Sequence, residues 1–384
     1  MYLSLSVLRS RSEYAKKALA IFWRRIMEET IEWLLEGSAW VEYKTRLDLL
    51  IKDKENEDVI ESRKRMLHCP EIKSLIAELQ DWPGSVLTSH KNAGHLIHKL
   101  TFLADLGIRN DAPGVGEIIG KIFRHRSPQG PFQVLMNIPS KFGGLGTDQF
   151  AWALCDAPVT LYSLARMGFQ EDARVLMAVE YLAKLVRDNG WPCAASPELG
   201  SFRGPGRKED PCPYATLIMT KLLLEIPEFR KSSNVSLGVE SLLSLWERRI
   251  DYHPYIFYMG TDFSKLKCPE VWFDILHVLD VVSRSSTKVN DHRINEMIEI
   301  VESKRTSSGR FIPESVWMAW KNWDFGQKKE PSRWLTLKVL KILGRYRAGG
   351  PDFSRILTDN DEGGSAVSVF LNFGEIHPFA VIFP

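Results

Sequence analysis

The chain has 384 residues, with 50 Lys+Arg against 48 Asp+Glu and a formal net charge of +2 when histidines are neutral. That balance argues against a protein that coats nucleic acid, and 44% hydrophobic with 26% charged residues excludes a disordered or collagen-like chain. No uncharged apolar run approaches the roughly 18 residues a membrane-spanning helix needs.

Five cysteines (Cys69, Cys155, Cys193, Cys212, Cys268) are too few, and odd in number, for a disulfide scaffold of this length. A reducing, cytoplasmic setting is expected. The apolar start from Met1 to Leu8 is too short for a signal-peptide core, so export is not expected. Arg9 to Arg25 is a basic amphipathic segment with Ala18, Ile21 and Phe22 at near-helical spacing, read as a docked helix with a solvated face. Residues 1–65 read as amphipathic helices packing on the repeats downstream, with the charged run Lys52 to Asp58 as a solvated loop or helix end. A partial repeat begins at Cys69.

From there a unit recurs: an apolar helix, a turn, an amphipathic helix and a Gly-aromatic turn. His95 opens HLIHKLTFLADLG, a second helix covers Ile118 to Phe123, and Gly130-Pro131-Phe132 closes the unit. Cys155 opens CDAPVTLYSLARMG; its partner helix puts Val175, Val179, Leu182 and Val186 on one face, and Gly190-Trp191 ends it. Cys212 opens CPYATLIMTKLLLEI, followed by SLGVESLLSLWERR. Cys268 opens CPEVWFDILHVLDVV, followed by INEMIEIVESKR and Gly309-Arg310-Phe311. A fifth unit begins near Ser332. The openings are 60, 57, 56 and 64 residues apart, a real but loose period.

The first helix of each unit is apolar nearly all round and the second has a polar face, as inner and outer helices of a closed ring require. The expected fold is therefore all-α, an α/α toroid over residues 66–348, with a tail at 349–384. That tail carries the β-prone stretches SAVSVFLNF and FAVIF, broken by Pro378, and is expected to be a hairpin or a strand used in homo-oligomer assembly.

The Gly-aromatic turns closing helical hairpins resemble the repeat of the α/α-toroid proteins of isoprenoid chemistry, the squalene/hopene cyclases and the β subunits of protein prenyltransferases. The sharpest match is Gly200 to Cys212. In the prenyltransferase β subunits a Gly-Gly-Phe turn leads into a basic loop and an Asp-x-Cys. The resemblance implies a hydrophobic, isoprenoid-type substrate in the ring, a diphosphate bound by Arg203, Arg207 and Lys208, and zinc on Asp210 and Cys212. The family's third ligand is a His opening the next inner helix, where this chain has Cys268. Without the family, Asp and two thiolates still make a suitable zinc set, and Cys155 and Cys193 offer a thiolate-rich alternative. The competing reading is packing: a small Cys at an inner-helix start, Pro at the next position, and Asp210 as an N-cap.

The cyclases' Asp-x-Asp-Asp acid motif is nearest matched by Asp359-Asn360-Asp361-Glu362, which departs at its last position and reads as an acidic linker. Asp156 is the other candidate acid, weighed against a role in capping its helix. His95 and His98, with His90 and Lys91 just ahead, are candidates for polarising or binding an anion, weighed against hydrogen-bonded core histidines. Trp191 is the candidate substrate-binding aromatic among Trp152, Trp191, Trp272, Trp317, Trp320, Trp323 and Trp334, whose ring faces would favour a carbocation. Phe142 to Gly146 is glycine-rich but lacks the context of a phosphate loop.

The leading expectation is an isoprenoid-handling enzyme, with zinc at Asp210, Cys212 and Cys268 and with Asp156 and His95 in the chemistry. A non-catalytic toroid holding a hydrophobic ligand or a protein partner is the alternative. Toroidal peptide cyclases that form thioethers are a third reading, resting on Trp191-Pro192-Cys193.

Overall fold

A computed structural model of the chain describes residues 21–285 and 291–347. The C-terminal tail, Asp359 to Glu362 and the stretch before Ile21 lie outside the described residues. Helix α1 covers residues 21–35. It is followed by α2 (Ala39–Asp48), α3 (Glu57–His68), α4 (Pro70–Leu79), α5 (Leu96–Asp105), α6 (Val115–Arg124), α7 (Ala157–Leu164) and α8 (Ala173–Ala183). Then come α9 (Pro213–Glu225), α10 (Ser233–Glu247), α11 (Ile275–Val282), α12 (His292–Glu302) and α13 (Arg333–Arg347). Strands β1 (Val134–Met136) and β2 (Gln149–Ala151) pair antiparallel, with Val134 opposite Ala151.

The fold is an α/α ring. Helix α5 packs on α7, α7 on α9, α9 on α11, α11 on α13 and α13 on α2. The Trp40 and Phe102 rings, edge to face at 6.1 Å, join α2 back to α5. Helices α7 and α9 are buried on every side, as inner members must be. Helix α8 lies outside against α7 and α9, and α10 and α12 lie outside against α11. Helix α8 buries Val175, Val179 and Leu182 on one face; Val186 falls beyond its end.

A repeated latch sets each inner helix against the preceding turn. The Trp191 amide donates to Thr216 Oγ1 at 3.0 Å, and the Trp191 carbonyl accepts from the Cys212 amide at 2.7 Å. The Phe311 amide donates to Thr336 Oγ1 at 3.0 Å, and its carbonyl accepts from the Ser332 amide at 3.0 Å. In both cases the hydroxyl lies one helical turn past the residue that opens the helix. Gly190 (φ 121°) lets the chain reverse there, because a Cβ would stand 2.7 Å from Ser241 Oγ and 2.8 Å from Thr216 Oγ1.

The fourth unit departs from the expected pattern. Its inner helix starts at Ile275, seven residues beyond Cys268, where the Asp274 carboxylate accepts from the His277 amide. The intervening stretch is irregular, with bends on either side of Glu270, whose carboxylate meets Lys221 Nζ at 2.8 Å and Lys338 Nζ at 2.9 Å. Around that centre Arg284 and Arg345 hold Asp280, Arg284 and Arg166 hold Glu225, and Lys44 and Lys341 hold Asp48. The interior is therefore closed by a buried charged layer supplied by the inner helices and the segments that flank them. Every ion in it is paired, which is the condition for keeping charge out of water.

This layer divides the ring. On the side of the inner-helix C-termini is a polar cavity of about 1070 Å³, lined by residues such as Asp48, Gly107, Arg166 and Glu225. On the N-terminal side is a cavity of about 800 Å³, lined largely by aromatic and aliphatic groups. Between them is a void of about 10 Å³ bounded by Tyr162, Tyr214, Lys221 and His277, the size of a single water.

Candidate functional site

The apolar cavity is built by loops converging on the N-termini of the inner helices. The loop before α5 supplies Thr88, Ser89, His90 and Lys91; the start of α7 supplies Cys155; the turn after α8 supplies Cys193; the start of α9 supplies Cys212. Phe142, Phe202, Tyr255, Phe257, Trp272 and Phe273 make most of its aromatic wall. Trp272 is the centre of that wall, packed on Tyr214 at 4.1 Å and stacked on Phe257 at 5.4 Å, with Lys91 Nζ 5.1 Å from its ring. Tyr214 is fixed from behind by donating to the Val271 carbonyl at 2.9 Å.

At the floor, His90 Nδ1 lies 3.0 Å from Asp156 Oδ1 and 2.9 Å from Oδ2. The Asp156 side chain is 2% exposed and that of His90 19%. Burial opposes the imidazolium, but the Asp156 charge and hydrogen bond outweigh it and raise the His90 pKa above its ordinary value. The pair is thus an imidazole hydrogen-bonded to a buried carboxyl group that favours its protonated form, with the ring parallel to Trp272 at 6.5 Å. Asp156 makes no side-chain capping bond to α7, so its carboxylate serves His90 and not the helix start.

The other two histidines hold this loop in place. His98 Nε2 donates to the His90 carbonyl at 3.0 Å, and His95 Nε2 donates to the Ser85 carbonyl at 3.0 Å while its Nδ1 accepts from the Ile97 amide. Burial lowers both pKa values, that of His98 to about 4, which favours the neutral ring in each. His95 therefore caps α5 and does not line the cavity; the histidine that does is His90, in the loop ahead of the inner-helix pattern. The signal for it in the sequence is its place in the segment leading into the first inner helix.

Cys155 and Cys212, which precede α7 and α9, also line this cavity and influence each other's titration. The Cys155 thiol, with the Ala215 and Tyr214 amides and the His90 charge, lowers the Cys212 pKa against burial; Cys155 is raised well above the ordinary value. Burial pushes the Cys193 thiol up to about 11, and its Sγ accepts from the Gly204 amide at 3.2 Å.

The expected zinc set does not assemble. Among the described residues no group of three or more His, Cys, Asp and Glu side chains is arranged to hold a metal ion. Asp210 accepts from the Tyr252 hydroxyl at 2.9 Å and the Arg207 amide at 3.4 Å, Cys212 faces the apolar cavity, and Cys268 is sealed in the core, where burial pushes its thiol well up. The seven-residue shift of the fourth inner helix removes Cys268 from the helix start that would have aimed it at Cys212.

The remaining candidates separate in the same way. Arg203 stands exposed at the cavity mouth, whereas Arg207 and Lys208 lie on the outer loop, where their carbonyls accept from Tyr255 and Arg187. Trp191 is fully buried, with Nε1 donating to the Leu182 carbonyl at 3.0 Å, and acts as a wedge between helices. Trp320, Trp323 and Trp334 cluster with Trp40 and Phe102 at the ring closure. Of the seven candidate tryptophans, Trp272 alone lines the apolar cavity. No helix of the described residues is long and apolar enough to cross a membrane.

No family model matches the chain, and no curated protein matches it. Among solved structures it is similar to a protein from Actinoplanes, with 14% identity over 86% of this chain and 99% of that one and a TM-score of 0.40. It is also similar to the type II terpene cyclase MstE from Scytonema. A variant of that protein in complex with geranylgeranyl dihydroxybenzoate gives 11% identity over 87% of this chain and 99% of that one, TM-score 0.40. The apo form gives 12% identity over 85% and 98%, TM-score 0.39.

Proposed function

We propose that the chain is a toroidal enzyme that takes an extended apolar substrate of the isoprenoid class into its aromatic cavity and acts on it by proton transfer from the His90–Asp156 pair. The observation that carries this reading is the coincidence, in one cavity of about 800 Å³, of an aromatic wall with His90, which lines the cavity and is hydrogen-bonded to the buried Asp156 carboxyl group. Such a volume suits a ligand of drug size or somewhat larger. An unsaturated hydrocarbon offers no hydrogen bonds, so recognition falls to shape and apolar contact. Once a proton has been added to a double bond, the resulting cation is favoured by ring faces such as Trp272 and Phe257. The pair donates one proton and recovers it when the cation loses a proton to form product. Arg203 and Lys91, near the mouth, supply positive charge for a polar head group.

The test is incubation of the purified chain with polyprenyl substrates carrying diphosphate, carboxylate or aryl-acid heads, with products analysed by gas chromatography and mass spectrometry. Isomers of unchanged mass with fewer double bonds, abolished by Asp156→Asn, are expected. Absence of binding to any polyprenyl chain, or full turnover by Asp156→Asn, overturns the reading. Binding without turnover in the wild type returns the chain to the non-catalytic alternative.

A further inference from the structure

We propose that the polar cavity on the side of the inner-helix C-termini is a second ligand site, which binds a small molecule carrying two or more phosphate groups. It lies across the charged layer from the aromatic cavity, and the inference stands whether or not the isoprenoid reading is right.

Charge singles this cavity out. The chain as a whole is nearly balanced, with 50 Lys+Arg against 48 Asp+Glu, yet eight cationic residues line the cavity against five acidic ones. Three of those five carboxylates are already engaged. Asp48 is held by Lys44 Nζ at 3.0 Å and by Lys341 Nζ at 2.7 Å, Glu225 by Arg166 and Arg284, and Asp111 by Arg63. Lys44 lines the cavity and is 4% exposed. One carboxylate shared by two ammonium groups leaves a positive charge over, in surroundings where an unmatched charge is costly. At the outer edge Lys54, Arg109 and Arg230 are exposed, and among the described residues none of them meets a carboxylate. The backbone makes room for one of these groups: the Arg109 guanidinium lies over Gly168 (φ 110°), where a Cβ would stand 3.0 Å from Nη2.

Cations also gather at helix C-termini simply to complement the last carbonyls, as Arg166 does at Ala104 and Arg230 at Leu224. That accounts for two of the eight. Lys44, Lys54 and Arg109 make no such bond among the described residues. The class of ligand follows from the groups left over. A guanidinium pairs with two phosphate oxygens at once, and a lysine adds a point charge beside it. One phosphate carries about −1.5 to −2 near neutral pH, so a single group falls short of the excess of three cationic residues, whereas two or more meet it. Apart from Tyr43 the described wall carries no ring, which suits a hydrated anion and not a hydrocarbon. The volume of about 1070 Å³ leaves space for a body attached to the phosphates.

The experiment is isothermal titration calorimetry of the full chain with inorganic tripolyphosphate and with ATP, at constant ionic strength. Lys91→Ser and Arg203→Ser are introduced together first, so that no charge remains at the mouth of the aromatic cavity to bind the probe there. In that background one tripolyphosphate or ATP per chain is expected. Adding Arg109→Ser and Arg230→Ser, at exposed positions where the fold does not depend on the side chain, should weaken binding roughly tenfold or more, as losing hydrogen bonds to a charged group requires. Tighter binding of ATP than of tripolyphosphate assigns the site to a nucleotide, and the reverse to the phosphate chain itself; both support the proposal. Loss of all binding in the Lys91, Arg203 background overturns it. So does affinity unchanged by the Arg109 and Arg230 replacements, or the same heat from sulfate at equal ionic strength, which marks general screening of a basic surface.

Discussion

Replacing Asp156 by Asn tests the floor of the cavity through a quantity that needs no substrate. In the wild type His90 is raised above its ordinary pKa of about 6.5. A group raised in the folded state adds stability that is fully present below the unfolded pKa and is lost as pH rises through the folded one. In Asp156→Asn the carboxylate is gone while burial remains, so the sign reverses: His90 falls below its ordinary value, and folding then opposes its protonation as the pH drops. At pH 8.5 the variant loses little more than one hydrogen bond, about 1 kcal/mol. At pH 5.5 it must either strip the proton from His90 or bury an unpaired imidazolium, and breaking a buried ion pair costs about 3–5 kcal/mol. The 19% exposure of the His90 side chain moves the expectation to the lower end, about 3 kcal/mol. The destabilisation should therefore grow by roughly 2 kcal/mol between pH 8.5 and pH 5.5. Urea unfolding at both pH values measures it, and histidine NMR titration follows His90 directly. Equal destabilisation at the two pH values, or an unmoved His90 titration, refutes the pairing.

The same geometry fixes three further outcomes. Glu270→Gln leaves Lys221 and Lys338 without the carboxylate they share and should cost about 3–5 kcal/mol in urea unfolding, whereas Lys221→Met combined with Glu270→Met should recover part of that loss; a loss under about 1 kcal/mol in the single variant would discard the charged layer as a paired unit. Burial raises the pKa of Asp274 to about 7, so it holds more protons folded than unfolded and stability falls from about pH 4 to pH 7; Asp274→Asn, which keeps an acceptor for the His277 amide, should gain roughly 3 kcal/mol at pH 8 and nothing at pH 4, read from chemical denaturation at each pH. Thr216→Val and Thr336→Val each strand a buried amide, on Trp191 and Phe311 respectively, and should each cost about 1–3 kcal/mol with additive effects; strong non-additivity in unfolding titrations would mean that the two turns are not independent copies of one latch.

Much of the ring was legible in local pattern. Helix α8 shows its buried face at Val175, Val179 and Leu182, and the turns at Gly190 and Gly309 sit where a glycine and a nearby aromatic residue end a hairpin. These are short-range signals, set by helical periodicity and by positive φ. The fourth unit was misplaced because Cys268-Pro269 resembles the helix start at Cys212-Pro213, while the real start depends on Asp274 reaching the His277 amide. The charged layer was not legible for a related reason. Lys221, Asp280, Lys338 and Arg345 lie in stretches that look apolar nearly all round, and their burial depends on partners about 50 to 70 residues away. The site divides in the same way. Asp156 and Cys212 announce themselves at helix starts, but His90 lies in a loop without periodicity, and only the ring brings it to Asp156, 66 residues on.

The charged layer also determines what kind of container the ring is. An open annulus would let a long chain thread through and protrude from both faces. This one is a cup, because any apolar tail pushed beyond Tyr214 meets Lys221 and Glu270, where a methylene group would have to displace an ion from its partner. Entry and departure then share one mouth. For a chain-like substrate of the proposed class, the distance from that mouth to the ammonium of Lys221 would act as a ruler, and admitting a longer one would require widening the aromatic wall.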